Sequence, residues 1–174
     1  MAKNILILHG WNAGPKNNWF MKAKDEWKKK GFMVEVPQLP GNYFPKLDDW
    51  LKVIDNFSPD QTWVLIGHSL GGAAILKYLE TAYEKVAQAI FIATPFEPMS
   101  FNPIANFFAD GFDWAKIKSN CSKFVVLNEM DDAVVPIEHG QKLAKALGVK
   151  VTEIPGGSHF HNIDLDFLKG LILK

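Results

Sequence analysis

Cysteine, excess charge and long apolar runs are all scarce in this sequence of 174 residues. Cys121 is the only cysteine, which excludes an intrachain disulfide or a thiolate metal site and favours a reducing compartment. Nineteen Lys and Arg balance nineteen Asp and Glu, without the basic stripe that attracts nucleic acid. The first apolar run, residues 5–8, is too short for a signal-peptide core or a membrane span. We therefore expect a cytoplasmic protein with neither nucleic acid nor membrane as a partner.

Linkers and repeats are also missing, so we expect one domain over residues 1–174. Continuous apolar runs of strand length alternate with segments of helical spacing. The runs lie at residues 5–8, 32–36, 63–66, 89–93, 124–127 and 149–154, and the helical segments at 19–30, 47–57, 73–83, 137–147 and 163–173. This alternation predicts an α/β fold, an open and mostly parallel six-stranded sheet with helices on both faces.

The pentapeptide Gly-His-Ser-Leu-Gly at residues 67–71 lies between a predicted strand and a predicted helix. This pattern is typical of a nucleophile elbow, a turn so sharp that its serine needs small neighbours and is exposed to substrate. Ser69 is then the candidate nucleophile, and the backbone N–H of Leu70 a candidate oxyanion donor. The alternative is a glycine-rich turn in which Ser69 only caps the following helix.

Candidate partners for Ser69 follow two later strands, in the chain order Ser, Asp, His that α/β-hydrolases have. The loop after residues 124–127 contains Glu129, Asp131 and Asp132, one of which could orient a histidine. The loop after residues 149–154 contains His159 and His161, and we favour His159 as the base. A serine hydroxyl is a poor nucleophile until a base takes its proton, so the chemistry needs all three groups.

Three further histidines have other expected roles. His9 and His68 flank the candidate oxyanion elements, and we expect them to shape loops or line the site rather than act as bases. His139 lies in the first turn of a predicted helix, where we expect it to be solvated.

The longest connection, residues 94–114, is more apolar than an exposed loop should be. Its aromatic residues are Phe96, Phe101, Phe107, Phe108, Phe112 and Trp114. They could form a short lid or an acyl-binding wall, for which Phe107, Phe108 and Trp114 are the candidates. The alternative is a small satellite core beneath a long loop.

Several of these motifs together resemble a known family. They are His9-Gly10-Trp11, Pro37-Gln38-Leu39-Pro40, Trp50, the elbow, the segment at residues 112–118, Asp131-Asp132 with Val135-Pro136, and His159-Phe160. In combination they resemble the small YdeN-like serine hydrolases, an α/β-hydrolase family that includes retinoblastoma-binding protein nine. The likeness extends over nearly the whole chain.

The resemblance implies an α/β-hydrolase core without a large cap. Carried over residue by residue, it implies Ser69 as nucleophile, Asp132 as acid and His159 as base, with the backbone N–H of Trp11 as second oxyanion donor. The chain departs from the pattern at residues 12–13, where many relatives have more glycine. It also has Ser158 where relatives often have glycine, a change from which we expect little effect.

The expected function is that of a serine hydrolase acting on small carboxylic esters or related acyl compounds, without metal or cofactor. Amidase or peptidase activity uses the same triad and remains an alternative. A catalytically silent protein-binding module is another alternative, because fold does not fix function. Binding to retinoblastoma-type pockets is disfavoured, since Cys121 is not within a Leu-x-Cys-x-Glu segment.

Overall fold

A computed structural model describes residues 4–100 and 102–172 of the chain. The strands within these residues are β1 (Asn4–Leu8), β2 (Met33–Glu35), β3 (Trp63–His68), β4 (Gln88–Ile92), β5 (Phe124–Glu129) and β6 (Val151–Ile154). They form one sheet in the order β2-β1-β3-β4-β5-β6, and every neighbouring pair is parallel. The predicted open parallel sheet is confirmed.

Helices alternate with these strands along the chain. They are α1 (Phe20–Lys29), α2 (Leu47–Asp55), α3 (Leu70–Thr81), α4 (Trp114–Ser119), α5 (Ile137–Leu147) and α6 (Leu165–Leu171), with a 3₁₀ helix at Asn102–Phe107. Across residues 4–100 and 102–172, no helix has both the length and the apolar character needed to cross a membrane.

Two apolar cores cover the two faces of the sheet. Alternate residues of a strand point to opposite faces, so Leu6 and Leu8 of β1 join one core while Ile5 and Ile7 join the other. The first core packs against helices α2 to α5, and the second against α1 and α6. The predicted covering of both faces is thereby confirmed.

Several helices and strands begin or end at residues other than those that the apolar pattern predicts. The predicted strand at residues 149–154 starts only at Val151, because the Val149 amide donates to the Ala144 carbonyl (2.9 Å) and completes the end of α5. The helix predicted at residues 73–83 already begins at Leu70, directly after the elbow serine. The helix predicted at 163–173 is α6, and residue 173 lies outside the described residues.

Among the described residues, the longest connection between consecutive strands and α-helices joins β4 to α4. Its only helix is the 3₁₀ helix. This part of the chain therefore forms no large cap over the sheet. Because all strands run in one direction, the segments that follow β3, β5 and β6 lie at the same edge of the sheet. That edge carries the candidate chemistry.

Candidate active site

Ser69 occupies the turn between β3 and α3 in a backbone conformation that residues other than glycine rarely adopt. Its φ is +54° and its ψ is −126°. The Ser69 amide donates to the Ile92 carbonyl at the end of β4 (2.8 Å), and the Ser69 carbonyl accepts from the Gly72 amide (2.9 Å). These backbone bonds hold the strained turn, and the side chain is left half-buried rather than enclosed.

The glycines two residues before and after Ser69 are required by close backbone approach. A Cβ on Gly67 would lie 2.5 Å from the Gly72 Cα, which is closer than real Cβ contacts. A Cβ on Gly71 would overlap the Leu8 carbonyl oxygen and lie 2.7 Å from the His9 carbonyl oxygen. The expectation that these two glycines make room for the elbow is confirmed.

The loop after β1 lies directly against the serine. A Cβ on Gly10 would be 3.0 Å from the Ser69 Cβ and 3.4 Å from its Oγ. Trp11 follows Gly10, and its indole N–H donates to the Tyr43 carbonyl (3.1 Å). Leu70 is the first residue of α3, a position whose amide has no acceptor within its own helix. The two backbone amides expected to bind an oxyanion thus belong to the two segments that meet at Ser69.

Asp132 and His159 are joined side chain to side chain. The Asp132 Oδ2 lies 2.8 Å from the His159 Nδ1, while Oδ1 accepts from the amides of Val134 (2.8 Å) and Val135 (2.9 Å). Burial by itself would raise the pKa of Asp132, but these hydrogen bonds outweigh it and lower the pKa below the ordinary value. Asp132 therefore stays ionised and leaves Nε2 of His159 as the free ring nitrogen of the pair.

The neighbouring candidates do not take part in this contact. Asp131 and His161 are both exposed. The remaining acid of the loop, Glu129, is 5% exposed and accepts from the Ser158 hydroxyl (3.0 Å) and the Phe160 amide (3.1 Å). Sequence reasoning had included Glu129 among the acids that could orient the histidine side chain, whereas it contacts the residues on either side of His159.

His68 shapes the loop of residues 155–161, the histidine loop, as expected. Its Nε2 donates to the His159 carbonyl (2.9 Å), and the two rings lie 4.8 Å apart. Burial, assisted by the neighbouring His159, lowers the pKa of His68 to about 3. His68 is therefore neutral at physiological pH and holds the loop as a hydrogen-bond donor rather than a charge.

His9 shapes the loop after β1 in the same way. Its Nδ1 donates to the Gly10 carbonyl (2.8 Å), and its Nε2 accepts from the Leu39 amide (2.9 Å). Burial lowers the pKa of His9, because the bond to Gly10 only partly offsets the loss of solvent. Both ring nitrogens are occupied in holding backbone, which agrees with the expected role in loop shape.

His139 differs from the expectation of a solvated side chain. It is half-buried, and its Nδ1 accepts from the Phe96 amide (3.1 Å). Burial lowers its pKa, which favours the neutral form that can accept this bond. The connection after β4 covers the first turn of α5, a contact between distant residues that local sequence pattern does not indicate.

The three aromatic candidates for a substrate pocket fall in different places. Phe107 is fully buried against Trp50, with ring centroids 5.0 Å apart. Phe108 and Trp114 instead line a cavity of about 250 Å³, where Trp114 stacks on Phe96 at 5.6 Å. Phe107 therefore belongs to the core, whereas Phe108 and Trp114 remain candidates for an acyl-binding wall. Phe101 lies outside the described residues.

A buried ion pair on α3 fixes the same segment, and sequence reasoning missed it. The Lys77 Nζ lies 3.2 Å from the Glu80 Oε2, contacts the Gly111 carbonyl and stands 5.1 Å from the centre of the Phe112 ring. Glu80 also accepts from the Asp113 amide (2.8 Å). The spacing of Lys77 and Glu80 by three residues on a helix was the only available signal.

The parallel sheet, the strained serine after β3 and the paired carboxylate and imidazole after β5 and β6 define the class of α/β-hydrolase folds. The family model described as "Serine hydrolase" matches residues 5–167. The chain belongs to this serine hydrolase family.

Individual relatives agree with this assignment. The chain is 28% identical to YdeN of Bacillus subtilis (strain 168) over 165 residues, covering 92% of this chain and 87% of YdeN. It is 26% identical to the serine hydrolase RBBP9 of Rattus norvegicus over 161 residues, covering 91% of this chain and 82% of that protein. The crystal structure of the ydeN gene product matches with a TM-score of 0.86 at 26% identity, covering 91% of this chain and 88% of that chain. The resemblance found in the motifs is confirmed.

Proposed function

We propose that the chain cleaves small carboxylic esters or related acyl compounds through a Ser-His-Asp triad. Ser69 is the nucleophile, His159 the general base and Asp132 the acid that orients His159. The backbone N–H groups of Leu70 and Trp11 form the oxyanion hole. Membership of the serine hydrolase family supports the reaction class, and the site geometry supports these roles.

The reaction proceeds in two steps. His159 takes the hydroxyl proton of Ser69 as Oγ attacks the substrate carbonyl, and the two amides stabilise the negative oxygen of the tetrahedral intermediate. The intermediate collapses to an acyl-enzyme, and His159 returns the proton to the departing alcohol. Water then attacks the acyl group with His159 again as base, which releases the carboxylic acid and restores Ser69.

The 2.8 Å contact between Asp132 and His159 carries this proposal. Burial of a carboxylate costs free energy unless the group is well hydrogen-bonded. The Oδ1 atom of Asp132 accepts from two amides of its own loop, which orients Oδ2 towards the His159 ring. Such an acid holds the imidazole in one tautomer and stabilises the imidazolium that forms during catalysis.

Covalent labelling with a fluorophosphonate probe tests the nucleophile. We expect the wild type to gain one adduct by intact mass, mapped to Ser69, and the Ser69→Ala variant to gain none while keeping the same circular dichroism spectrum. Ester turnover should fall by about 10⁴-fold or more in the variant, since triad members act as a unit. Full esterase activity in purified Ser69→Ala would refute the mechanism.

Fresh, unlabelled wild-type enzyme can then be offered matched ester and amide substrates with the same acyl group. We expect faster turnover of the esters, because an amide also requires protonation of a nitrogen leaving group. Faster turnover of the amide would reassign the enzyme as an amidase or peptidase. A folded wild type that fails to label would instead favour the protein-binding module.

We place this activity on a single domain spanning residues 1–174 and in the cytoplasm. Limited proteolysis tests the proposal of a single domain, and we expect no stable fragment shorter than the stretch from β1 to α6. Fractionation of cells that express a tagged chain tests the second.

A further inference from the structure

We propose that Glu129 and Ser158 form a positioning pair that fixes the backbone of the histidine loop and so sets the aim of the His159 ring. This inference rests on the proposed function, because it assigns the pair a role through the base of the triad. It concerns two residues outside that triad.

The pair holds His159 from both of its neighbours. One carboxylate oxygen of Glu129 accepts from the Ser158 hydroxyl (3.0 Å) and the other from the Phe160 amide (3.1 Å). Glu129 is the last residue of β5 and only 5% exposed, so its position is set by the sheet. Glu129, fixed at the end of β5, thus bonds to the loop one residue before and one residue after the base.

The conformation of the loop explains the need for such a grip. His159 and Phe160 have φ values of +55° and +49°, and consecutive left-handed residues other than glycine persist only where the surroundings enforce them. The Phe160 amide bond to Glu129 and the His68 bond to the His159 carbonyl act on the two sides of this strained unit. If the bond between the Phe160 amide and Glu129 is removed, we expect the loop backbone to relax and the His159 ring to turn away from its position.

Asp132 therefore orients the His159 ring, whereas Glu129 holds the residues on either side of it. Asp132 contacts the His159 ring directly at Nδ1. Glu129 touches no atom of that ring in its hydrogen bonds, so it is a positioning residue rather than a catalytic one. The bond before His159 depends on the Ser158 side-chain hydroxyl, whereas the bond after it uses the Phe160 backbone amide.

Four variants test the pair against a fluorophosphonate probe and an ester substrate. Glu129→Ala removes both contacts, and we expect kcat to fall about 100-fold with KM unchanged, as for a catalytic group misplaced by about 1 Å. Ser158→Ala removes one contact, with an expected loss of about fivefold, the equivalent of a typical hydrogen bond. Glu129→Gln keeps an acceptor oxygen and should fall between these two. Glu153→Ala is the matched control, an exposed glutamate on the neighbouring strand β6, and should keep wild-type kcat.

Proton NMR gives a readout that does not depend on turnover. The His159 Nδ1 proton shared with Asp132 should give a far-downfield resonance in the wild type. We expect Glu129→Ala to broaden or lose this resonance at unchanged secondary structure, and Glu129→Gln to restore part of it. A purely structural role would lower the unfolding temperature and leave the resonance in place.

The outcomes separate this inference from the proposed function. Wild-type kcat and an intact resonance in Glu129→Ala and Ser158→Ala, alongside an inactive Ser69→Ala, would overturn the positioning pair and leave the triad standing. An unlabelled wild type would overturn the triad, and the resonance would still decide whether Glu129 orders the ring. Should Glu129→Ala fail to fold, Glu129→Gln and Ser158→Ala decide the question by the same measurements.

Discussion

The histidine loop and the aromatic segment both lie at the edge of the sheet where the strands end, yet different forces hold them. The histidine loop, residues 155–161, is held by directional bonds to Glu129, Asp132 and His68, all with atoms 2.8 to 3.1 Å apart. Backbone strain at His159 and Phe160 is part of that arrangement. A small shift of any partner would break a hydrogen bond.

The aromatic segment, residues 94–114, is held mainly by ring packing. Trp114 lies between Phe96 and Phe112, with centroid distances of 5.6 and 5.1 Å, and Phe107 packs on Trp50. Aromatic contacts tolerate a range of distances and tilts. Hydrogen bonds support this packing along the segment: the Phe96 amide donates to His139, Asn106 bonds to the backbone of Pro45 and Leu47, and the Lys77–Glu80 pair contacts residues 111–113.

Under the function proposed above, the difference corresponds to two tasks, orienting the base and lining the acyl group. Proton transfer requires atoms placed within tenths of an ångström, and short hydrogen bonds to buried, ionised or neutral groups provide that precision. An apolar wall needs only shape and volume, which packing supplies and which substitution changes gradually. We therefore expect changes in the histidine loop to affect kcat and changes in the aromatic segment to affect stability or KM.

The largest expected effect comes from the acid that holds the base. Asp132→Asn should lower kcat/KM by about 10⁴-fold, since an amide cannot stabilise the imidazolium and favours the wrong tautomer. Asp131→Asn is the matched control one residue away, on an exposed side chain, and should change turnover little. Steady-state ester hydrolysis by both variants, with circular dichroism as a check on folding, measures the difference.

Equal losses in the two variants would contradict the assignment of Asp132 and would remove the basis for treating the histidine loop as the more precise region. A larger loss in Asp131→Asn would move the acid to that residue.

The regular part of the fold was predictable because burial leaves a clear pattern in the sequence. All six strands overlap the predicted apolar runs, and α5 coincides with the predicted residues 137–147. The elbow was predictable for a similar reason, since only glycine fits at positions 67 and 71. These features depend on local composition or on close packing that only one residue type satisfies.

The short helices in and directly after the aromatic segment were not predictable from periodicity. The 3₁₀ helix and α4 have six residues each, too few for a repeating apolar face, and α4 buries only Ile117. A capping signal did exist, because the Asp113 side chain accepts from the Lys116 amide at the start of α4. An aspartate followed three residues later by a polar residue is common in sequences, so this capping pattern alone is a weak predictor of a helix.

The contacts of Glu129 and His68 were beyond the reach of sequence reasoning. Each pairs residues far apart in the chain, 29 to 31 positions for Glu129 and 91 for His68. The left-handed conformation at His159 and Phe160 also leaves no mark in residue type. Ser158 was expected to have little effect, and its bond to Glu129 is the observation from which we now propose a role for it.

A second prediction separates the two parts of the aromatic segment. Phe107→Ala should lower the free energy of unfolding by about 3–5 kcal/mol, the usual cost of an empty aromatic site in a core, with KM unchanged. Trp114→Ala, at a partly exposed position lining the 250 Å³ cavity, should cost less stability and raise KM for esters with an apolar acyl group. Urea unfolding and ester kinetics on both variants supply the two numbers. A rise in KM in Phe107→Ala alone would reverse the assignment of wall and core.

The smallest expected effect is a pH dependence of stability that arises at His68, the last residue of β3, which bonds to the histidine loop. In the unfolded chain a histidine binds a proton below its ordinary pKa of about 6.5, whereas folded His68 stays neutral until the pH approaches about 3. The unfolded state therefore binds more protons in this window, and the unfolding free energy must fall as the pH falls. From pH 7 to 5 this amounts to about 2 kcal/mol from His68 alone.

His68→Gln keeps a side-chain N–H for the His159 carbonyl and removes the titration, so its stability should depend less steeply on pH. The slope will not vanish, because burial also lowers the pKa of His9 and His139, and both act with the same sign. Urea unfolding at pH 7, 6 and 5 measures the two slopes, with Trp114→Ala as the matched variant from the aromatic segment. Trp114→Ala should lower stability by a similar amount at each pH, since packing carries no proton. Parallel slopes for wild type and His68→Gln would mean that His68 takes up its proton over the same pH range in the folded and unfolded states, and the neutral donor assigned to it would be wrong.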